Sequence, residues 1–330
     1  MKTIFVSGGT GSFGKNFLKK ILDYHKDVKK IIVFSRDEFK QHSLKTELSS
    51  HKHFKKIRFF IGDIRDRERL NVALENVDTV IHAAALKQVD TAEYNPSEFI
   101  KTNILGTQNI VDSSIYHNIK KVIFLSTDKA TSPINLYGAT KLCAEKIILA
   151  ANNIKGNRNI AFSVVRYGNV TSSRGSVIPL FNDQKKSGVI KITDPSMTRF
   201  NISLNESVNF VIKAVNLAKG GEVFVPKMSS YNLIDLANAI APKSKKKIIG
   251  LRPGEKIHEE LIGKHESMNT FDFGNYFVIV NSYNLKLFNY YKSLRSSSKV
   301  KSSFTYTSDN NKNRLTINQI KKVIINKNNI

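Results

Sequence analysis

Cysteine is almost missing from this chain: Cys143 is the only one, so no internal disulfide can form, which fits a reducing compartment. Long apolar runs are missing too, since none approaches the roughly 18 residues a membrane-spanning helix needs. The start, Met1-Lys2 followed by a short apolar stretch and a glycine cluster, lacks the apolar core and small-residue cleavage site of a secretory leader. Together these absences argue against a disulfide-stapled secreted domain and a helical membrane protein, and the expected location is the cytoplasm. Acids are scarce, with 27 Asp+Glu against 52 Lys+Arg and a net charge of +25. Such an excess can serve nucleic acid, an anionic membrane or an acidic substrate. The lysines are spread along the whole chain, however, with no arginine-rich arm and no zinc-ligand spacing. They read as solvated surface rather than a nucleic-acid site, and no metal is expected. The last fifty residues hold ten Lys+Arg and one acid, Asp309, so weak polyanion binding stays open there.

What is present suits one or two globular domains: 330 residues, 41% hydrophobic and 24% charged. Short apolar runs at Thr3–Ser7, Ile31–Ser35, Ile57–Ile61, Val77–Ala83 and Val122–Ser126 read as strands buried on both faces. Longer mixed stretches separate them, such as Phe13–Asp23 and Pro96–Tyr116, where Phe99, Ile100, Asn103, Ile104, Thr107 and Ile110 recur at helical spacing. Repeated βαβ units predict an α/β fold with a parallel, doubly wound (Rossmann) sheet. A helix is expected near Tyr137, a strand at Ala161–Tyr167, a helix at Glu206–Ala218, a strand at Glu222–Val225 and a helix at Tyr231–Ile240. The expected organisation is a dinucleotide-binding domain over 1–168, a smaller substrate-binding lobe over 169–285 with some segments returning to the first domain, and a C-terminal extension over 286–330.

The first strand runs into Gly8-Gly9-Thr10-Gly11-Ser12-Phe13-Gly14 and then a helix. Gly8 permits the turn off the strand, Gly11 lets backbone approach a pyrophosphate, and Gly14 allows close packing of the helix. The helix N-terminus offers free N–H groups to phosphate. The strand–glycine–helix context makes this a dinucleotide fingerprint rather than a plain turn. At the end of the second strand an acid would hold a ribose 2′-hydroxyl. Here stand Ser35 and Arg36, with Asp37 next and Lys40 close by. Serine and arginine suit a 2′-phosphate, so the expected cofactor is NADP, with a pair between Arg36 and Asp37 as the alternative use of that arginine.

Ser126-Thr127-Asp128-Lys129 ends the fifth strand, and Tyr137 and Lys141 follow at i, i+4 on a helix, on one face. A phenol near pKa 10 is a poor base at neutral pH, and an ammonium beside it would lower that value. Tyr116 and Lys120 have the same spacing but precede the strand. Position therefore singles out Tyr137 and Lys141, because ligands of open α/β sheets bind at the C-terminal ends of strands.

These motifs form an ordered series with His82-Ala83-Ala84-Ala85-Leu86-Lys87, Lys101-Thr102-Asn103-Ile104, Arg166-Tyr167-Gly168-Asn169-Val170 and Ser173-Arg174-Gly175-Ser176-Val177. The series resembles the inverting UDP-N-acetylglucosamine 4,6-dehydratases of pseudaminic acid biosynthesis, in the extended short-chain dehydrogenase/reductase superfamily. The resemblance runs from Lys2 to about Ile262 and implies catalytic roles for Tyr137, Lys141, Asp128, Lys129 and Thr127. Tyr137 with Lys141 would oxidise carbon 4, Lys129 would take the carbon-5 proton, and Asp128 would assist loss of the carbon-6 hydroxyl. The resemblance places Asp63 and Ile64 against adenine, and Ala83, Ala84, Lys87 and Asn103 along the cofactor. It places Lys87, Asn169, Ser176, Val177, Arg199, Arg252 and Glu255 on a UDP-sugar. It further implies tightly held, recycled NADP and a homo-oligomer, a hexamer or dimer. After Lys87 the chain reads Gln88-Val89-Asp90, where the family commonly has His-Val-Pro. The rivals are a nucleotide-sugar 4-epimerase or 4-reductase, which needs no carbon-5 base, and a non-catalytic dinucleotide-binding module.

Overall fold

The computed structural model describes residues 1–171 and 177–325. Its largest sheet has ten strands. Six parallel ones carry the fingerprint regions: β1 (Thr3–Ser7), β2 (Lys30–Ser35), β3 (Ile57–Ile61), β4 (Thr79–His82), β5 (Lys121–Thr127) and β6 (Ala161–Tyr167). Their order across the sheet is β3-β2-β1-β4-β5-β6, all in parallel register. The strand Glu222–Pro226 joins β6 in parallel, and Tyr276–Val280 then pairs with it antiparallel. The chain therefore reverses its direction of travel between β1 and β4, which opens a crevice at their C-terminal ends. Ile4, Phe5, Val6, Val33, Ile81, Val122, Ile123 and Val164 are fully buried, and each such side chain contributes about 1.5–3 kcal/mol relative to an exposed one.

The stretch Pro96–Tyr116 is helical, as its spacing predicts, but Ile100–Leu105 forms a π turn and the buried stripe differs from the expected one. Phe99, Thr102, Asn103, Gly106, Thr107 and Ile110 face inward, whereas Ile100 is exposed and Ile104 only half-buried. The wide turn rotates the face. A Cβ on Gly106 would lie 2.7 Å from the Ile64 side chain, which would have to shift to admit it.

The second lobe has its own core, built on Phe181, Ile190, Ile192, Met197, Leu236 and Ile320. Two small sheets frame it. Thr198–Ile202 is flanked by Asn169–Val170 and Ser229–Asn232, and Val189–Ile192 pairs with Lys245–Ile248. Described residues after 285 pack onto both cores. Leu287 and Tyr291 of the helix Leu285–Ser293 pack into the main core, while Ile320 of the helix Ile317–Ile325 packs into the lobe. Among the described residues no helix is long and apolar enough to cross a membrane.

Candidate active site

A single cavity of about 1060 Å³ runs from the end of β1 across the sheet to the second lobe. At one end, Gly8, Thr10, Gly11, Ser12, Phe13 and Gly14 line it. Gly8 sits at φ +67°, and a Cβ there would lie 2.9 Å from the Ala84 backbone. A Cβ on Gly14 would meet the Gly9 carbonyl at 2.5 Å, so the close packing that Gly14 permits is against the loop itself. The helix α1 (Ser12–Tyr24) starts at Gly11 with no side-chain cap and no acid in its first turn. Its uncapped N–H groups and partial positive charge are those an anion binds.

Ala83 and Ala84 form the facing edge and are held by a hydrogen-bond chain the sequence did not reveal. Their N–H groups donate to Ser7 Oγ at 3.1 and 3.2 Å, and Ser7 Oγ lies 2.7 Å from His82 Nδ1. An oxygen already accepting two N–H groups gives its own hydrogen to Nδ1. His82 Nε2 therefore donates to Thr107 Oγ1 at 3.0 Å, and Thr107 donates on to the Asn103 carbonyl. Burial keeps this imidazole neutral, its pKa lowered to about 3.

Ser35, Arg36, Lys40, Asp63 and Ile64 line the next stretch. Arg36 reaches Asp63 at 3.5 Å, and Asp37 caps the following helix through the Lys40 N–H and pairs with Lys40 Nζ at 2.6 Å. A carboxylate at a helix N-cap gains both a free donor and the helix dipole there. Arg65 also grips Asp63, at 2.7 Å.

Asn103 departs from its expected place along the cofactor. Its oxygen accepts from the Leu86 N–H, and its amide nitrogen donates to the Leu86 carbonyl and to Thr140 Oγ1, all at 2.9–3.0 Å. It is buried behind the cavity wall, pinning the loop after β4 to the helix Leu136–Ile154.

Thr127, Lys129, Tyr137 and Lys141 meet at the C-terminal end of β5. Asn135 fixes the helix that carries Tyr137: its oxygen accepts from the Gly138 N–H at 2.7 Å and its amide donates to the Gly254 carbonyl at 2.8 Å. Tyr137 opens on the cavity, hydrogen-bonded to Thr127, but its phenol is not activated as its spacing predicts. Burial raises its pKa to about 12, and the cation pulling it back most is Lys129. The Lys141 amine is occupied elsewhere, 2.7 Å from the Leu125 carbonyl and 3.8 Å above the Phe124 ring. Burial with little compensating charge lowers Lys141 to about 7.

Lys129 has the opposite surroundings. Its amine lies 3.1 Å from Asp128 Oδ1, 2.9 Å from Glu259 Oε1 and 3.5 Å from Asn169 Oδ1. Burial opposes its charge, but Asp128 and Glu259 outweigh that and hold the amine above the usual lysine range. The resting structure therefore presents an ammonium, not the free amine a carbon-5 base requires. Asp128 is buried beneath the wall, 3.0 Å from Thr127 Oγ1, and burial raises its carboxyl above the usual range. Gly168 makes room for it, since a Cβ there would lie 3.0 Å from Asp128 Oδ2. Glu259 lines the cavity beside Lys129. It sits in the unremarkable run His258-Glu259-Glu260, and nothing in that run marks it as buried.

Lys87, Asn169, Val177, Arg199, Arg252 and Glu255 line the lobe side of the same cavity, and Ser176 lies outside the described residues. Arg199 is buried, donating to the Thr198 and Ile257 carbonyls at 2.7 and 3.0 Å with its Nε 3.8 Å from Glu259. Arg252 stays half exposed, and its turn is closed by Glu255 at 3.5 Å. Tyr116, the positional control, is exposed at the far end of its helix.

A family profile described as polysaccharide biosynthesis protein matches residues 4–281. The chain is 50% identical over 316 residues to a protein of Campylobacter jejuni subsp. jejuni serotype O:23/36 (strain 81-176) named UDP-N-acetylglucosamine 4,6-dehydratase (inverting), covering 94% of this chain and 93% of that one. A protein of Rickettsia bellii (strain OSU 85-389) named UDP-glucose 4-epimerase is 41% identical over 333 residues, covering 98% and 96%. The X-ray structure of Pen from Bacillus thuringiensis superposes with a TM-score of 0.90 at 39% identity, covering 100% of this chain and 98% of that one. On this evidence the chain belongs to the polysaccharide biosynthesis protein family, as a relative of its inverting UDP-N-acetylglucosamine 4,6-dehydratases.

Proposed function

We propose that the chain is a cytoplasmic, NADP-dependent UDP-N-acetylglucosamine 4,6-dehydratase that inverts carbon 5. The observation that carries this reading is the meeting of Tyr137 with Thr127 and Lys129 at one point of the cavity that also holds the glycine loop, with Asp128 directly beneath them. The cofactor fits that loop: Gly8 leaves no side chain in the turn, and the N-terminus of α1 is uncapped. Arg36 and Ser35 favour the 2′-phosphate of NADP, with Arg36 exchanging its long contact to Asp63 for a charge-assisted pair. A dinucleotide held there by the glycine loop and Arg36 would supply a hydride acceptor for carbon 4 and a hydride donor for carbon 6.

The chain's own residues move the protons. Tyr137, once its phenol has given its resting proton to solvent, takes the proton of the carbon-4 hydroxyl, and the resulting ketone acidifies carbon 5. Lys129, once it has released its resting proton, takes the carbon-5 proton on Nζ. Asp128, with its raised affinity for a proton, supplies the one that leaves with the carbon-6 hydroxyl as water. Because Asp128 does not open on the cavity, that proton passes through the Thr127 hydroxyl, 3.0 Å away. Lys129 then restores the Asp128 proton across their 3.1 Å contact, and carbon 5 takes one proton from solvent on the face opposite Lys129, which inverts the centre and balances the proton that Tyr137 took from the carbon-4 hydroxyl and returns to solvent. Arg199 and Arg252 face the diphosphate, where guanidinium pairing is strong.

The test is the mass of the product formed from UDP-N-acetylglucosamine. A dehydratase gives a product lighter by one water. A product of unchanged mass would replace this reading with a 4-epimerase, and no turnover with intact dinucleotide binding would replace it with a binding module.

A further inference from the structure

Glu259 is used by none of the steps above, yet it is the most intimate partner of the proposed base. Its carboxylate is buried, 2.9 Å from Lys129 Nζ, and reaches the site from the loop that leads into the strand Glu260–Ile262, far along the chain from β5. Among the described residues its second oxygen, Oε2, is buried without a protein partner, as is Asp128 Oδ2 on the other side of the lysine. Two carboxylates thus bracket one ammonium. Of these, Asp128 is the one that burial drives toward its neutral form, while Glu259 is held ionised by Lys129 and Arg199 against its own burial. Among the described residues, the other charged and titratable groups around the lysine are Arg199 and Tyr231 from the lobe, Lys87 from the loop after β4 and Tyr137 from its helix. Lys256 acts on Glu259 and is tied to the Thr131 carbonyl at 2.6 Å. None of these supplies a second lasting negative charge.

We propose that Glu259 is a positioning residue for the carbon-5 proton transfer: its carboxylate anchors the Lys129 amine at the cavity wall and determines when that amine is free to act as a base. The inference rests on the dehydratase reading above. A carboxylate within about 4 Å favours the ammonium form by roughly one to three pH units. Removing its charge should therefore free Lys129 at lower pH, whereas loss of a merely structural contact would slow the enzyme equally at every pH.

The experiment follows the pH profile of water loss from UDP-N-acetylglucosamine by wild type, Glu259→Gln and Glu259→Asp, each first shown to be folded by thermal unfolding. The expected result is an acid limb moved down by about one unit or more in Glu259→Gln. In Glu259→Asp the limb stays in place and only the rate falls. Acid limbs that coincide in all three proteins overturn the proposal. A second measurement needs no Glu259 variant. In wild-type protein labelled with 15N-lysine, with Lys129 assigned by difference from Lys129→Arg, the amine should remain an ammonium at about pH 10.4, where half of ordinary lysines have lost their proton. A neutral Lys129 there would overturn the proposal equally. If wild type itself releases no water, the dehydratase reading fails, and that outcome is distinct from unmoved profiles in an active enzyme.

Discussion

Where β1 and β4 close the cavity, the wall is backbone and small side chains: Gly8, Gly11, Ala83 and Ala84, with uncapped N–H groups as its polar feature. Where β5 and the loop after residue 250 close it, the wall is packed with ionisable groups that hold one another, Lys129 with Asp128 and Glu259 and then Arg199. Two lysines show what the difference does. Lys141, against a carbonyl and a phenyl ring, is lowered to about 7. Lys129, between two carboxylates, is raised. The neighbours differ in charge, and Lys129 is also the more exposed of the two, with 23% of its side chain accessible while Lys141 is buried. The first wall suits a ligand whose charge must be met by fixed dipoles, the second a reaction in which protons move.

The largest expected effect tests whether the charged wall is where chemistry happens. Tyr137→Phe removes a proton acceptor while keeping the ring's packing, and turnover should fall by roughly 10²–10⁴-fold with the unfolding temperature nearly unchanged. Activity close to wild type would remove Tyr137 from the mechanism. The next compares the lysines directly. Lys129→Met leaves Asp128 and Glu259 facing each other and should cost about 3–5 kcal/mol in denaturant unfolding. That loss should shrink as pH falls, because the unpaired carboxyls then take up protons. Lys141→Met should cost only about 1 kcal/mol, since Glu145 keeps its pair with Arg166 at 2.6 Å. Equal losses would mean the two environments do not differ as described.

The first wall is broken more gently. Arg36→Ala should cut the preference for NADPH over NADH by about 1.5–3 kcal/mol, read from the two dissociation constants. An unchanged ratio would assign the 2′-phosphate to other residues. The smallest effect is expected from Asn135→Ala, which removes the cap of the Tyr137 helix and should cost about 0.5–2 kcal/mol of stability.

The same contrast explains what the sequence disclosed. The β1–glycine–α1 segment, Ser35-Arg36 and Thr127-Asp128-Lys129 are each contiguous. Strand, loop and ligand-facing groups therefore arrive within a few residues, and hydrophobic periodicity places them. Strand ends at Thr3–Ser7, Ile57–Ile61 and Ala161–Tyr167 fall where the apolar runs do. Asn103 sits in a familiar motif, yet its amide is consumed by Leu86 and Thr140, because a π turn and Gly106 rotate the helix that carries it. Glu259, the Ser7–His82–Thr107 chain and the Asn135–Gly254 bond join residues distant in the chain, and no local pattern encodes such contacts. Spacing put Tyr137 beside Lys141 correctly but said nothing of the Leu125 carbonyl and Phe124 ring that claim the amine. The expected lowering of the phenol therefore did not follow.

One measurement bears most directly on the claim that the phenol and the amine–carboxyl group of the charged wall act on a single hexose: proton NMR of the reaction with UDP-N-acetylglucosamine in deuterated water. The account predicts a 4-keto, 6-deoxy sugar of L-arabino configuration carrying deuterium at carbon 5. A product that keeps its original carbon-5 proton, or one altered only at carbon 4, would contradict it.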